Sequence, residues 1–112
     1  MTDKIVVFVS CGKREEAEHL ARCLVEQRLA ACVNVIPGIG SWYWWEEKVT
    51  QDEELLLVIK TSRSKFEDLR KEIQRLHSYS VPEIIALPVV EGSQDYLNWM
   101  DNSLAEPDAS KA

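Results

Sequence analysis

The sequence predicts an α+β domain of ferredoxin-like order, β-α-β-β-α-β followed by a C-terminal helix. Three observations carry that expectation. Two short runs, Ile5 to Val9 and Leu55 to Ile59, are apolar at every position and too short for helices, as strands buried on both faces are. Each is followed by a stretch with apolar residues at helical spacing. Between them lies a segment rich in aromatic residues, Ser41-Trp42-Tyr43-Trp44-Trp45, that reads as one arm of a hairpin.

Taken in order, Ile5 to Val9 is strand one, and Gly12 punctuates its end. From about Arg14 to Arg28, Ala17, Leu20, Ala21 and Leu24 form one face of a helix, while Glu15, Glu16, Glu18, His19, Arg22 and Glu26 fill the other. The acidic first turns and Arg28 near the end suit the helix dipole. Cys32 to Ile36 is a second strand, broken at Pro37-Gly38 and resumed at Ser41 to Trp45, with Glu46-Glu47-Lys48 as the hairpin turn. The chain returns through an acidic stretch, Asp52 to Glu54, into the third strand, Leu55 to Ile59. Ser62 is a candidate cap for a helix carrying Phe66, Leu69, Ile73 and Leu76. Pro82 stops any continuation. Ile84 to Val90 is a fourth strand, confined by Pro88 to an edge or an irregular pairing, and Gly92-Ser93 leads to a helix with Tyr96, Leu97 and Met100. One domain over residues 1–105 follows, with 106–112 read as a disordered tail.

The composition restricts function. With 112 residues there is room for one core, and 13 Lys+Arg against 19 Asp+Glu give a formal charge of -6, which argues against nucleic-acid and anionic-membrane partners. No run is long enough to span a membrane, and the apolar segment after Met-Thr-Asp-Lys is too short for a signal peptide. Three cysteines, Cys11, Cys23 and Cys32, lack Cys-x-x-Cys spacing and fit free thiols of a reducing compartment, so a cytoplasmic location is expected. Two helices cover one face of a four-stranded sheet. Strands one and three are apolar on both, so a second apolar layer is expected from other copies of the chain, with the aromatic hairpin buried at the same contacts.

Several segments together resemble the divalent-cation-tolerance CutA family. They are Ala30-Ala31-Cys32-Val33-Asn34, Ser41-x-Tyr43-x-Trp45 running to Lys48, Lys60-Thr61, His77-x-Tyr79-x-Val81-Pro82-Glu83-Ile84 and Tyr96-Leu97-x-Trp99, spread over residues 4 to 102. The resemblance implies a homotrimer similar in architecture to PII signalling proteins, divalent-cation binding with copper first, and no enzymatic reaction. It also implies a metal site from a cysteine near the end of strand one and histidines of the loop after the second helix. His77 matches one histidine, Leu76 stands at the other, and Cys11 lies close to the cysteine position. Two departures are visible. Ser78 replaces a usual proline after the histidine, and Glu47 replaces a usual glycine, from which a looser hairpin tip is expected.

The candidate metal ligands are therefore His77, Glu83 and Cys11, since imidazole and thiolate suit copper. His77 has a second reading as a helix-end residue bonded to backbone carbonyls. Cys32 reads as a small core residue, Cys23 carries no motif, and His19 reads as solvated. Glu46, Glu47, Asp52, Glu53 and Glu54 lack the spacing of a calcium loop and read as solvated hairpin ends. Lys60, Tyr79 and Trp45, with Glu83, form a second constellation, which the resemblance implies would line a cleft between subunits. That cleft supports an alternative function, a PII-like signalling protein that binds a small anionic metabolite through Lys60. No phosphate-binding glycine loop or nucleophile elbow is present to suggest catalysis.

Overall fold

The computed structural model describes residues 1–106. Strands β1 (Lys4–Cys11), β2 (Cys32–Trp45), β3 (Lys48–Ser62) and β4 (Ile85–Pro88) form one sheet in the order β2-β3-β1-β4. All three neighbouring pairs are antiparallel. Helices α1 (Arg14–Glu26), α2 (Phe66–Leu76) and α3 (Gln94–Leu104) complete it, with a 3-10 turn at Arg63–Lys65. The ferredoxin-like order thus holds, with β4 the edge strand that Pro88 requires. The segment expected as a disordered tail lies outside the described residues, apart from Glu106.

Side-chain alternation along β1 and β3 builds two different faces. Val7, Val9, Leu57 and Ile59 are fully buried and pack with Ala17, Leu20 and Leu24 of α1 and Leu69 and Ile73 of α2. The intervening residues Val6, Phe8, Leu56 and Val58 are half-buried. Phe8 pairs across to Val58 and to Ile85, and Val6 to Leu87, so the sheet face opposite α1 and α2 carries contiguous apolar side chains. The chain does supply a partial cover. Met100, Leu104 and Leu97 of α3 pack with Ala31, and Lys4, on the same face, holds Asp101 at 2.7 Å. The expectation that the whole second layer comes from other copies is corrected to that extent.

Several element ends differ from expectation, among them β4, which spans Ile85–Pro88 rather than Ile84 to Val90. Helix α1 stops at Glu26 rather than Arg28 because Arg28 turns left-handed, φ 58°, while the Arg28 N–H bonds to Val25 O and the Leu29 N–H to Leu24 O. That is a Schellman closure with arginine where glycine is usual. The Arg28 guanidinium also donates to the Ser103 carbonyl of α3 at 2.9 Å, an anchor that offsets the backbone cost. Ser62 does not cap a helix through its side chain; it ends β3 and precedes the 3-10 turn. Ser93 is the side-chain cap, accepting from the Tyr96 N–H at 3.3 Å.

The hairpin is longer and tighter than the sequence suggested. β2 runs through Pro37-Gly38 with a register shift between Ile36 and Ile39, absorbed by Gly38 at φ 73°. The acidic stretch Asp52 to Glu54 belongs to β3. The tip is a two-residue turn with Glu46 at φ 48° and Glu47 at φ 64°, so the missing glycine does not loosen it. Both glutamates take the left-handed conformation whose twist matches the flanking strands, at a cost of about 1 kcal/mol each. Beyond Leu55 the hairpin has no other strand beside it among the described residues, because β1 pairs only with Leu55–Ser62.

Candidate functional site

The loop after α2 converges with the end of β1 and the first turn of α1. His77 is buried, and its ring has both nitrogens engaged: Nε2 lies 2.8 Å from the Ser10 carbonyl and Nδ1 accepts the Tyr79 N–H at 3.0 Å. That pairing places the ring proton on Nε2. Cys11, fully buried, brings its Sγ to 3.8 Å from the same Nε2. The Glu16 carboxylate stands at 3.2 Å from Nδ1 and receives the Ser78 N–H at 2.7 Å and the Ser78 hydroxyl at 2.8 Å. Ser78, the residue that replaces a usual proline, therefore ties the loop to α1 through a hydroxyl and an N–H that proline lacks.

Electrostatics around the pair is anionic. Burial, then the charges of Glu16 and Glu54, push the Cys11 thiol up to about 12. Burial alone would raise the Glu16 carboxyl, but the Ser78 backbone and side-chain donors outweigh it and hold the carboxyl below its ordinary value. The Tyr79 ring lies 4.6 Å from the His77 ring, and its hydroxyl donates to Glu54 at 2.9 Å. Burial and that bond raise the Tyr79 phenol. A Cβ at Gly12 would stand 3.0 Å from the Tyr79 oxygen, so glycine admits this approach. Partial burial and the Glu54 charge push the Glu83 carboxyl up as well.

The structure thus brings together Cys11, His77 and Tyr79, and adds Glu16 and Glu54. Glu16 was read only as part of a polar helix face. Its signal was faint, a glutamate just past Gly12 and so near the end of β1. Glu54 is corrected from a solvated hairpin end to a buried carboxylate, 8% exposed, held by Tyr79. Lys60 lies elsewhere. It pairs across to Val6 and Cys32, six residues along β3 from Glu54, about 20 Å, and its Nζ sits 5.9 Å from the Tyr96 ring centroid. Trp45, at the hairpin tip opposite Lys48, is exposed. Within one chain Lys60, Tyr79 and Trp45 do not share a cleft.

As a metal site the loop fits in donor type and is incomplete in number. Metal–sulfur and metal–imidazole bonds of about 2.3 and about 2.0 Å set two tetrahedral ligands ~3.5 Å apart, close to the Cys11–His77 separation. Binding would require Nε2 to give up its proton; with the proton on Nδ1 the Tyr79 N–H loses its acceptor, and Glu16 at 3.2 Å is placed to accept from Nδ1 instead, the carboxylate–histidine pairing common behind metal ligands. Among the described residues no group of three or more His, Cys, Asp or Glu side chains is arranged to hold an ion. Replacing Glu16 by Ala should speed hydrogen exchange at the Ser78 amide about tenfold or more, since a bond to a carboxylate contributes ~1.5–3 kcal/mol. Unchanged exchange would show that Glu16 does not hold the loop.

The family model described as CutA1 divalent ion tolerance protein matches residues 5–103. The Divalent-cation tolerance protein CutA of Thermus thermophilus is 47% identical over 95 residues, covering 85% of this chain and 92% of its own. The chloroplastic protein CutA of Arabidopsis thaliana is 50% identical over 99 residues, 88% of this chain, although the chain spans only 54% of that protein. The crystal structure of CutA1 from Oryza sativa superposes with a TM-score of 0.89 at 46% identity, covering 93% of this chain and 95% of that one.

Proposed function

Because the chain belongs to the CutA1 divalent ion tolerance family, we propose that it is a non-enzymatic, homotrimeric binding protein for divalent metal, copper first, acting in metal tolerance or response. The observation that carries this reading is the Cys11 Sγ placed 3.8 Å from His77 Nε2 with the Glu16 carboxylate on the far ring nitrogen. Cys11 and His77 would hold the ion, with Glu83 a further candidate from the same loop and Glu16 orienting the ring. Thiolate with imidazole is a donor pair that suits copper, the thiolate favouring copper(I) over copper(II). The anionic surroundings that raise the thiol also favour a cation in its place.

The assembly reading rests on the apolar sheet face of Val6, Phe8, Leu56 and Val58 and on the exposed rings of Trp42, Trp44 and Trp45. No helix among the described residues is long and apolar enough to cross a membrane. A cytoplasmic location is supported by three free cysteines, which a reducing compartment keeps as thiols.

Isothermal titration of the metal-free protein with copper tests the site. Cys11→Ser and His77→Ala are each expected to weaken binding at least tenfold, about 1.4 kcal/mol. Since the ion must displace a proton from a thiol held up at about 12, wild-type affinity should also fall about tenfold for each pH unit lost around neutrality. Wild-type affinity in both variants would reject the pair as ligands.

One observation favours the second reading, a PII-like sensor for a small anionic metabolite. Lys60 sits on the apolar sheet face beside Tyr96 with no carboxylate in ion-pair reach among the described residues. Its charge would then await an anion supplied in a cleft between copies, with Tyr79 and Trp45 brought in by neighbours. Binding of a metabolite panel that Lys60→Met abolishes, with copper affinity intact, would decide for it.

A further inference from the structure

On the outer surface of α1, away from the Cys11–His77 loop, a second soft-donor pair stands one helical turn apart. The Cys23 Sγ lies 3.8 Å from Nδ1 and 3.7 Å from Nε2 of the His19 ring. Positions four apart on a helix share one stripe of its surface. Neither side chain has another hydrogen-bond partner among the described residues. The cations beside Cys23 are already neutralised, Arg22 by Glu26 at 2.7 Å and Arg75 by Glu72 at 2.5 Å. The scaffold is fixed as well, because Ala17, Leu20 and Leu24 anchor the opposite side of α1 in the core.

We propose that His19 and Cys23 form a separate, solvent-facing chelate for a thiophilic divalent ion such as Zn²⁺ or Cd²⁺. Two tetrahedral ligands of sulfur and imidazole nitrogen stand ~3.5 Å apart, so a turn of the exposed ring is enough to point one nitrogen at an ion shared with Sγ. The sulfur–hydrogen bond breaks as the sulfur–metal bond forms, and the proton leaves to water. Water completes the coordination shell, which two protein donors leave open. Where Cys11 and His77 are buried and a ring nitrogen must first release Ser10, His19 and Cys23 meet a hydrated ion directly. The site is independent of the copper reading and lies on the helix side of the sheet, away from the apolar face assigned to assembly.

Cadmium titration of reduced, metal-free protein, followed by the ultraviolet thiolate-to-metal absorption, tests this. In a Cys11→Ser background one Cd²⁺ should still bind with that absorption; adding Cys23→Ser should abolish it, and adding His19→Gln should weaken binding at least tenfold. Absorption undiminished by Cys23→Ser, or an affinity unchanged by His19→Gln, overturns the proposal. Alkylation of Cys23 in the wild-type protein, read by mass spectrometry, provides a check without the background substitution. Zn²⁺ should slow it at least tenfold in the wild type and not in His19→Gln. An equal rate with and without Zn²⁺ in the wild type would count equally against the site.

Discussion

If the protein assembles through its apolar sheet face, the wild type should scatter light as a particle of three and Val58→Asp should leave single chains of 12.9 kDa. Val58 stands at the centre of the apolar sheet face, opposite Phe8 on one side and Asn34 on the other. If other copies cover that face, the substitution buries an unpaired carboxylate, and the several kcal/mol this costs exceed what one contact patch gives back. The helix-covered core lies on the other side of the strand, so far-UV circular dichroism should keep its native shape. A wild type that scatters as a monomer at micromolar concentration, or a variant that still assembles, would remove the basis for the trimer.

Leu57→Ala, one residue away, should act on the fold itself. Leu57 is fully buried among side chains of the helix-covered core, and truncating such a leucine costs ~2–5 kcal/mol because the lost burial adds to the cavity left behind. Its denaturant midpoint should drop at every protein concentration. Leu56→Ala, on the opposite face, should instead show a loss that depends on concentration, the mark of an interface rather than a core. Equal, concentration-independent losses in the two variants would mean that the sheet has no assembly face.

That alternation is the part of the architecture the sequence made most legible. Runs of Val, Ile and Leu without polar interruption identified β1 and β3, and the spacing of Leu20, Leu24, Leu69 and Ile73 identified the helices that cover them. Element ends were less legible, because they depend on contacts between distant residues. Nothing local to Arg28 announces that its guanidinium will reach Ser103 of α3 and so end α1 early. Glu46 and Glu47 are poor left-handed residues by intrinsic preference, and the pairing of the strands on either side overrides it. At the candidate site the residue types of Cys11, His77 and Tyr79 were readable, whereas Glu16 and Glu54 were not. A glutamate in an acidic helix face or an acidic strand looks solvated until a partner from a distant segment, here Ser78 or Tyr79, is placed beside it.

The unaccompanied outer part of the β2–β3 hairpin has a kinetic consequence. Ile39 to Glu54 is a two-stranded ribbon with no third strand among the described residues, and such ribbons have little stability of their own in water. Its ordering is therefore coupled to whatever covers its rings, and in a newly made chain it would be the last segment to settle. The body of the domain, built from β1, the inner half of β3, α1 and α2, holds the main buried core and would form first. If other copies supply that cover, maturation divides into a unimolecular step, insensitive to dilution, and a slower encounter step whose half-time lengthens as the chain becomes scarce.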